Sequence, residues 1–273
     1  MAAQHQNIAF EVRKPPLGLA PFVHSVSAYV EHTDAKPDEL ETPTASLMPM
    51  IILLGAGWDY TIRGHRHSFG ESFFAGLCTT PITMHSRGYA ACMQVNFTPS
   101  GARRFLRMDM HELLDNLVPL EIALGRAGLA LHDRLLQLNS WNDRFEYLYK
   151  VLVDRVLCKP GFQAASHTVD GALTLLDNKR CTTVNDMTSE LGVSRKHLTS
   201  LFRREVGLSP GKFLQLRRFE QALAVVKARP EMPLAEVAHG AGFADQAHFS
   251  REFSRFMDQT PSNYLRHTAG GDR

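Results

Sequence analysis

Leu191-Gly192-Val193-Ser194 leads into Leu198, Phe202 and Ser209-Pro210, and Ala241-Gly242-Phe243-Ala244 leads into Phe249, Phe253 and Thr260-Pro261. Counted from Leu198, Phe202 and Pro210, the second copy lies 51 residues on in each case, with one extra residue just after its glycine. Each copy reads as a short helix, a glycine turn and a second helix, which is the pattern of a helix-turn-helix. A single copy also suits helical domains that never meet DNA. Two copies with basic outward positions point to DNA.

In the first copy Thr183 is placed to cap a helix over Val184–Leu191, Gly192 to supply the turn and Ser194 to cap the helix that follows. Leu198, Leu201 and Phe202 then share one buried face, which turns Arg195, Lys196, Thr199, Ser200 and Arg203 outward. In the second copy Pro233 opens a helix through Val237 and Ala238, Gly242 is the turn, and Asp245 caps the next helix. Phe249 and Phe253 bury it, leaving Gln246, Ala247, Ser250, Arg251 and, one turn on, Arg255 outside. A helix of this diameter fits the major groove of B-DNA, where Gln pairs with adenine and Arg with guanine. Between the copies Pro210–Arg229 reads as one amphipathic helix. About 19 residues at 1.5 Å each span roughly 28 Å, close to one turn of DNA. Arg217 and Arg218 on this spacer are expected to touch phosphates.

From about Ala165 to Arg266 the chain resembles the AraC/XylS family of bacterial transcription regulators, most specifically in Ala238-His239-Gly240-Ala241-Gly242-Phe243 through Phe253 to Pro261. The resemblance implies that Lys196, Thr199 and Ser200, and Gln246, Ala247, Ser250 and Arg251, face bases, and that the output is recruitment of RNA polymerase. Thr188 departs from the pattern, standing where the family usually has a small Ala between the two helices. The first motif's contacts are therefore expected to lean on Arg195, Lys196 and the backbone, and the second motif to weigh at least as much in sequence choice. Phe74-Ala75-Gly76, Phe97-Thr98-Pro99-Ser100-Gly101-Ala102 and the helices after them look like the β-rich sensor region of a subset of the same family.

The N-terminal part reads as short strands split by Gly and Pro: Ser46–Leu54, Trp58–Ile62, Phe73–Leu77, Ile82–His85 and Cys92–Phe97. That pattern suggests a small sandwich or cupin-like barrel. After Pro99 the period becomes helical. Leu113, Leu114 and Leu117 read as helix, followed by helices near Leu129–Leu138 and Asn142–Leu157, the latter capped by Ser140. The stripe Phe145, Leu148, Tyr149, Leu152 and Val156 suits either internal packing or a subunit contact in a homodimer. Lys159-Pro160-Gly161-Phe162-Gln163 breaks the pattern and marks a boundary. The expected fold class is therefore α+β. Residues 1–120 form a β-rich sensor domain and 121–160 a helical connector suited to dimerisation. Residues 165–268 form an all-α domain of two helix-turn-helix motifs.

Trp58, Tyr60, Phe73, Phe74 and Met84 either line a small effector cavity or fill the core. His65-Arg66-His67 with Glu71 and His85 has the look of a cupin metal set, although a charged surface turn explains it equally well. No metal, cofactor or catalytic residue is assigned, and no G-x-S-x-G or phosphate loop is present. The rival reading is a metal-dependent cupin-type enzyme, or an effector-free interaction module, fused to a DNA-targeting domain. The four cysteines are scattered, which suits a reducing compartment, and neither a secretory leader nor a membrane span is expected. From Gln163 on there are 15 Lys/Arg against 12 Asp/Glu, too small an excess to argue nucleic acid without the motifs. The chain is expected to be a cytoplasmic, effector-responsive regulator that binds double-stranded DNA.

Overall fold

The computed structural model describes residues 10–31, 39–42, 46–56, 58–62, 64–68, 71–86, 90–158 and 167–270. The chain begins with strands β1 (Phe10–Arg13), β2 (Val23–Glu31), β3 (Glu39–Thr42), β4 (Met48–Leu53), β5 (Trp58–Ile62), β6 (His65–Ser68), β7 (Phe73–Ala75), β8 (Ile82–Ser86) and β9 (Ala90–Phe97). Helix α1 (Pro99–Leu106) and strand β10 (Leu117–Pro119) follow. One sheet runs β1-β2-β9-β4-β7-β10 and the other β3-β8-β5-β6. The pairs are antiparallel, and Met50 of β4 sits opposite both Val95 of β9 and Phe74 of β7.

Alternation along the strands decides which side of the larger sheet each residue serves. Met48, Met50 and Ile52 of β4, with Met93, Val95 and Phe97 of β9, join the core that faces the helices. Ile51 and Leu53, with Cys92 and Ala90, point the other way, into a second core with Trp58, Tyr60, Phe73 and Ala75 between the sheets. Both faces of these strands are therefore buried, which is why β4 reads as an almost continuous apolar run.

The helical expectation for Leu113, Leu114 and Leu117 is corrected. A short 3-10 turn covers Met110–Leu113, and Leu117 instead starts β10, paired with Ala75 of β7. The cause is Asp115, at φ 53°, whose carboxylate accepts both the Thr79 N–H and the Thr79 hydroxyl, a tertiary contact that breaks the helical period. Helices α2 (Leu120–Leu124), α3 (Arg126–Gln137) and α4 (Trp141–Val153) come next, α4 capped by the Ser140 hydroxyl on the Asp143 N–H. A π turn over Asp154–Cys158 carries the chain on from α4. Phe145, Leu148 and Leu152 are fully buried within the chain and Val156 nearly so, which assigns these four to internal packing, while Tyr149 of the same stripe is half-buried. The boundary at Lys159–Gln163 lies outside the described residues.

The remainder is helical: α5 (His167–Asp177), α6 (Val184–Leu191), α7 (Arg195–Glu205), α8 (Pro210–Ala228), α9 (Leu234–Gly240), α10 (Gln246–Met257) and α11 (Pro261–Gly270). One apolar core runs without a break from Phe97 and Phe105 through Val206 and Leu208 to Phe219 and Phe253. Polar contacts stitch the two halves at α5, α7 and α8. The Arg103 guanidinium of α1, only 3% exposed, donates to the Arg204 carbonyl of α7 at 3.2 Å. The Ser100 hydroxyl of α1 bonds Asp170 of α5. Ser46, just before β4, donates its N–H to Glu220 of α8 at 2.7 Å, and Arg217 reaches its hydroxyl at 3.3 Å. At Gly207 the approach is so close that a Cβ would stand 3.0 Å from the Met110 carbonyl.

Candidate nucleic-acid interface

The first motif is assembled from α6, a turn at Gly192 and α7. Thr183 and Asp186 form a reciprocal capping box at the start of α6, so two N-terminal N–H groups are satisfied without solvent. Gly192 stands at φ 63°, where a residue without Cβ carries no strain, and the Ser194 hydroxyl then caps α7 on the His197 N–H. The second motif repeats the glycine turn and the capped second helix, with α9, Gly242 at φ 77° and α10 capped by Asp245 on the His248 N–H at 2.6 Å, while α9 starts after Pro233 without a side-chain cap. In both, the residue after the glycine returns its N–H to the first helix: Val193 to Thr188 at 3.2 Å, Phe243 to Ala238 at 2.9 Å.

Thr188 and Ala238 thus occupy matching places. Ala238 is buried, whereas Thr188 is half-buried and turns its hydroxyl onto the Asn185 carbonyl of its own helix at 2.9 Å. The polar atom is thereby satisfied within α6 itself.

Leu198, Leu201, Phe202 and Glu205 bury one side of α7, leaving Arg195, Lys196, Ser200 and Arg203 exposed and Thr199 half-buried. On α10 the buried side is Phe249, Phe253, Phe256 and Met257, and Gln246, Ala247, Arg251 and Arg255 are exposed while Ser250 is half-buried. Each set of residues singled out in the sequence therefore shares the open side of one helix. Arg255 is partly engaged, lying 3.3 Å from Glu252 and over the Phe256 ring. The spacer α8 is a single 19-residue helix with Phe213, Leu216, Phe219, Ala222 and Leu223 buried, as its sequence suggests. Arg217 on it pairs with Asp177 at 2.7 Å and with Ser46, so it belongs to the seam between the halves. Arg218 lies over the Phe243 ring.

Glu220 is the least expected member of this seam. Burial raises its carboxyl above the ordinary carboxylate range, in opposition to the Ser46 hydrogen bonds and Arg217. The folded chain thus holds this proton to higher pH than the unfolded chain does, and stability falls as pH rises from 4.5 through the folded value. Glu220→Gln should flatten that part of the profile of urea midpoint against pH; an unchanged slope would place the effect elsewhere.

In the first half, Trp58, Tyr60 and Phe73 pack together between the sheets, with the Tyr60 and Phe73 rings 4.8 Å apart and Met84 half-buried at their margin. Burial raises the Tyr60 phenol and pushes the Cys92 thiol up to about 12, as a dry interior does. Phe74 faces the opposite way, into the helix-side core. These five residues fill cores. A hollow of about 300 Å³ lies instead at the seam, beside Phe22, Ser46, Ser100, Asp170 and Arg217. His65, Arg66 and His67 lie on β6, with Arg66 held by Asp59 at 2.8 Å, while His85 bonds the Thr61 hydroxyl. Among the described residues no group of three His, Cys, Asp or Glu is placed to hold a metal. No described helix is long and apolar enough to cross a membrane.

A family model described as a helix-turn-helix domain matches residues 187–267, and a domain of unknown function (DUF6597) matches residues 11–119. Regulatory protein SoxS of Salmonella typhimurium is 36% identical over 74 residues, covering 27% of this chain and 67% of that protein. A putative AraC-like transcription regulator of Streptomyces antibioticus is 31% identical over 105 residues, or 38% of this chain and 34% of that one. The match spans about a third of the length of the first curated relatives, 29% and 34%. Among solved structures, ToxT from Vibrio cholerae O395, bound to (E)-4-(8-methylnaphthalen-1-yl)but-3-enoic acid, shares the fold at a TM-score of 0.50 and 12% identity, covering 94% of this chain and 98% of that one. With both motifs built as described, and with a regulator matched over two thirds of its length, the chain belongs to the AraC family of helix-turn-helix transcription regulators.

Proposed function

We propose that the chain is a sequence-specific transcription regulator that reads two successive major-groove segments with α7 and α10. The observation that carries this reading is the repetition, on either side of the rigid helix α8, of a helix, a glycine turn and a second helix with a side-chain cap. Arg195, Lys196, Thr199, Ser200 and Arg203 serve one segment, and Gln246, Ala247, Ser250, Arg251 and Arg255 the other. Arg251→Ala should lower affinity for a duplex selected from a random library by roughly tenfold or more, with a much smaller loss on unrelated DNA. Equal losses on both would make Arg251 a phosphate contact rather than a base contact.

The N-terminal half is the sensing part, acting in the cytoplasm on polymerase recruitment through its seam with α5, α7 and α8. The 300 Å³ hollow at that seam is of a size to take a small effector. An effector there would touch both halves at once and so bias their packing. For self-association a candidate surface is the pair Leu129 and Leu136, exposed apolar residues seven apart on the one helix α3.

A further inference from the structure

The turn Met110–Leu113 of the N-terminal half packs against α7, and the two enclose a groove of about 480 Å³. Asp109 and His111 stand on one wall, and Ser200, Arg203, Arg204 and Lys212 on the other. The charges in this groove are unequal in availability. Asp109 is engaged by the buried Arg103 at 3.1 Å, and Arg204 by the buried Glu205 at 2.9 Å. Arg203 and Lys212 remain exposed beside an exposed His111. Lys212 sits in the first turn of α8, whose capped end adds the positive end of a 19-residue helix.

Ser200 and Arg203 are on the open side of α7, the side that would enter a major groove. A helix seated there is flanked by a phosphate strand on each side. The wall carrying His111 borders the same groove as Ser200 and Arg203, where such a strand would pass.

Resting on the DNA-reading function proposed above, we infer that this groove seats a backbone phosphate beside the first motif, with His111 of the N-terminal half joining Arg203 and Lys212 around it. The sensor half is then part of the DNA-binding surface. Arg203 acts here on the backbone rather than on a base, and the first motif's footprint on one strand is wider than α7 alone would give.

The test uses the full chain and a duplex selected by it from a random pool. Lys212→Ala should make the slope of log affinity against log salt shallower by about 0.9, the loss of one phosphate contact. His111→Glu should weaken binding by roughly tenfold, the scale of one charge-assisted hydrogen bond. His111→Lys should bind at least as well as the parent chain. Since His111 is exposed, the melting temperature should not move in either variant. Phosphate ethylation interference should locate the affected position at the flank of one half-site. His111→Glu binding like the parent overturns the inference, and so does His111→Lys weakening binding as much as His111→Glu. A parent chain that retains no duplex from the pool overturns the DNA-reading function itself, and this contact with it.

Discussion

Replacing Arg103 by alanine should destabilise the chain by roughly 3 kcal/mol, because a buried guanidinium with charge-assisted partners leaves them unsatisfied when it goes. Its Nη1 reaches the Asp109 carboxylate at 3.1 Å and the Arg204 carbonyl at 3.2 Å, so one side chain ties α1, the following turn and α7. Arg103→Lys should restore little, since a point charge cannot reproduce the fork of a planar guanidinium. Urea unfolding followed by fluorescence would measure the loss, and a change below about 1 kcal/mol would show that the neighbours relax around the gap. A second signature is expected in the same experiment. Because Arg103 links the halves, its loss should make the fluorescence and far-ultraviolet transitions separate, where the parent chain shows them together.

Phe253→Ala is the other large effect, expected at about 3–5 kcal/mol for the second motif. Phe253 is fully buried and holds ring contacts to Phe219 of the spacer, Phe249 of its own helix and Tyr264 of α11, at 5.6 Å in each case. Phe219 also stacks on Phe256 and Phe249 meets Phe243 edge-on, so filling the void would cost them those contacts and most of the cavity should persist. Hydrogen exchange separates two outcomes. Amides of α9, α10 and α11 should lose protection while those of β9 and α4 keep theirs. If every amide loses protection together, the apolar core that runs through both halves is one cooperative unit, and the second motif has no local unfolding of its own.

Much of this architecture is legible in the residues. The caps at Thr183, Ser194 and Asp245 and the glycine turns are local devices, each decided within four or five positions, and the structure has all of them. β5 runs from Trp58 to Ile62 as its alternation suggests. What escapes is what depends on distant partners. Val23–Glu31 mixes polar and small residues, and it becomes a nine-residue strand, the longest among the described residues, because Val26 and Ala28 find β9 alongside them. Leu117 carries a helical spacing that Asp115 overrides through Thr79. The same holds at the interface. The open sides of α7 and α10 follow from periodicity, but Arg217 looks like a phosphate contact until Asp177 and Ser46 appear beside it. His111, 89 positions before Ser200, gives no signal in the sequence; only packing sets it on the groove that Ser200 lines.

Helix α8 has a consequence for the grammar of any operator. It runs unbroken for 19 residues and is held along its length by buried aromatic and aliphatic side chains, so it works as a ruler rather than a tether. A flexible linker would let the second motif follow its half-site through insertions and deletions. A ruler does not, since one added base pair turns the downstream half-site by about 35° around the DNA axis. Sites for this chain should therefore vary in their bases while keeping one fixed phase between their two halves. The conserved quantity in such a set of promoters would be an angle.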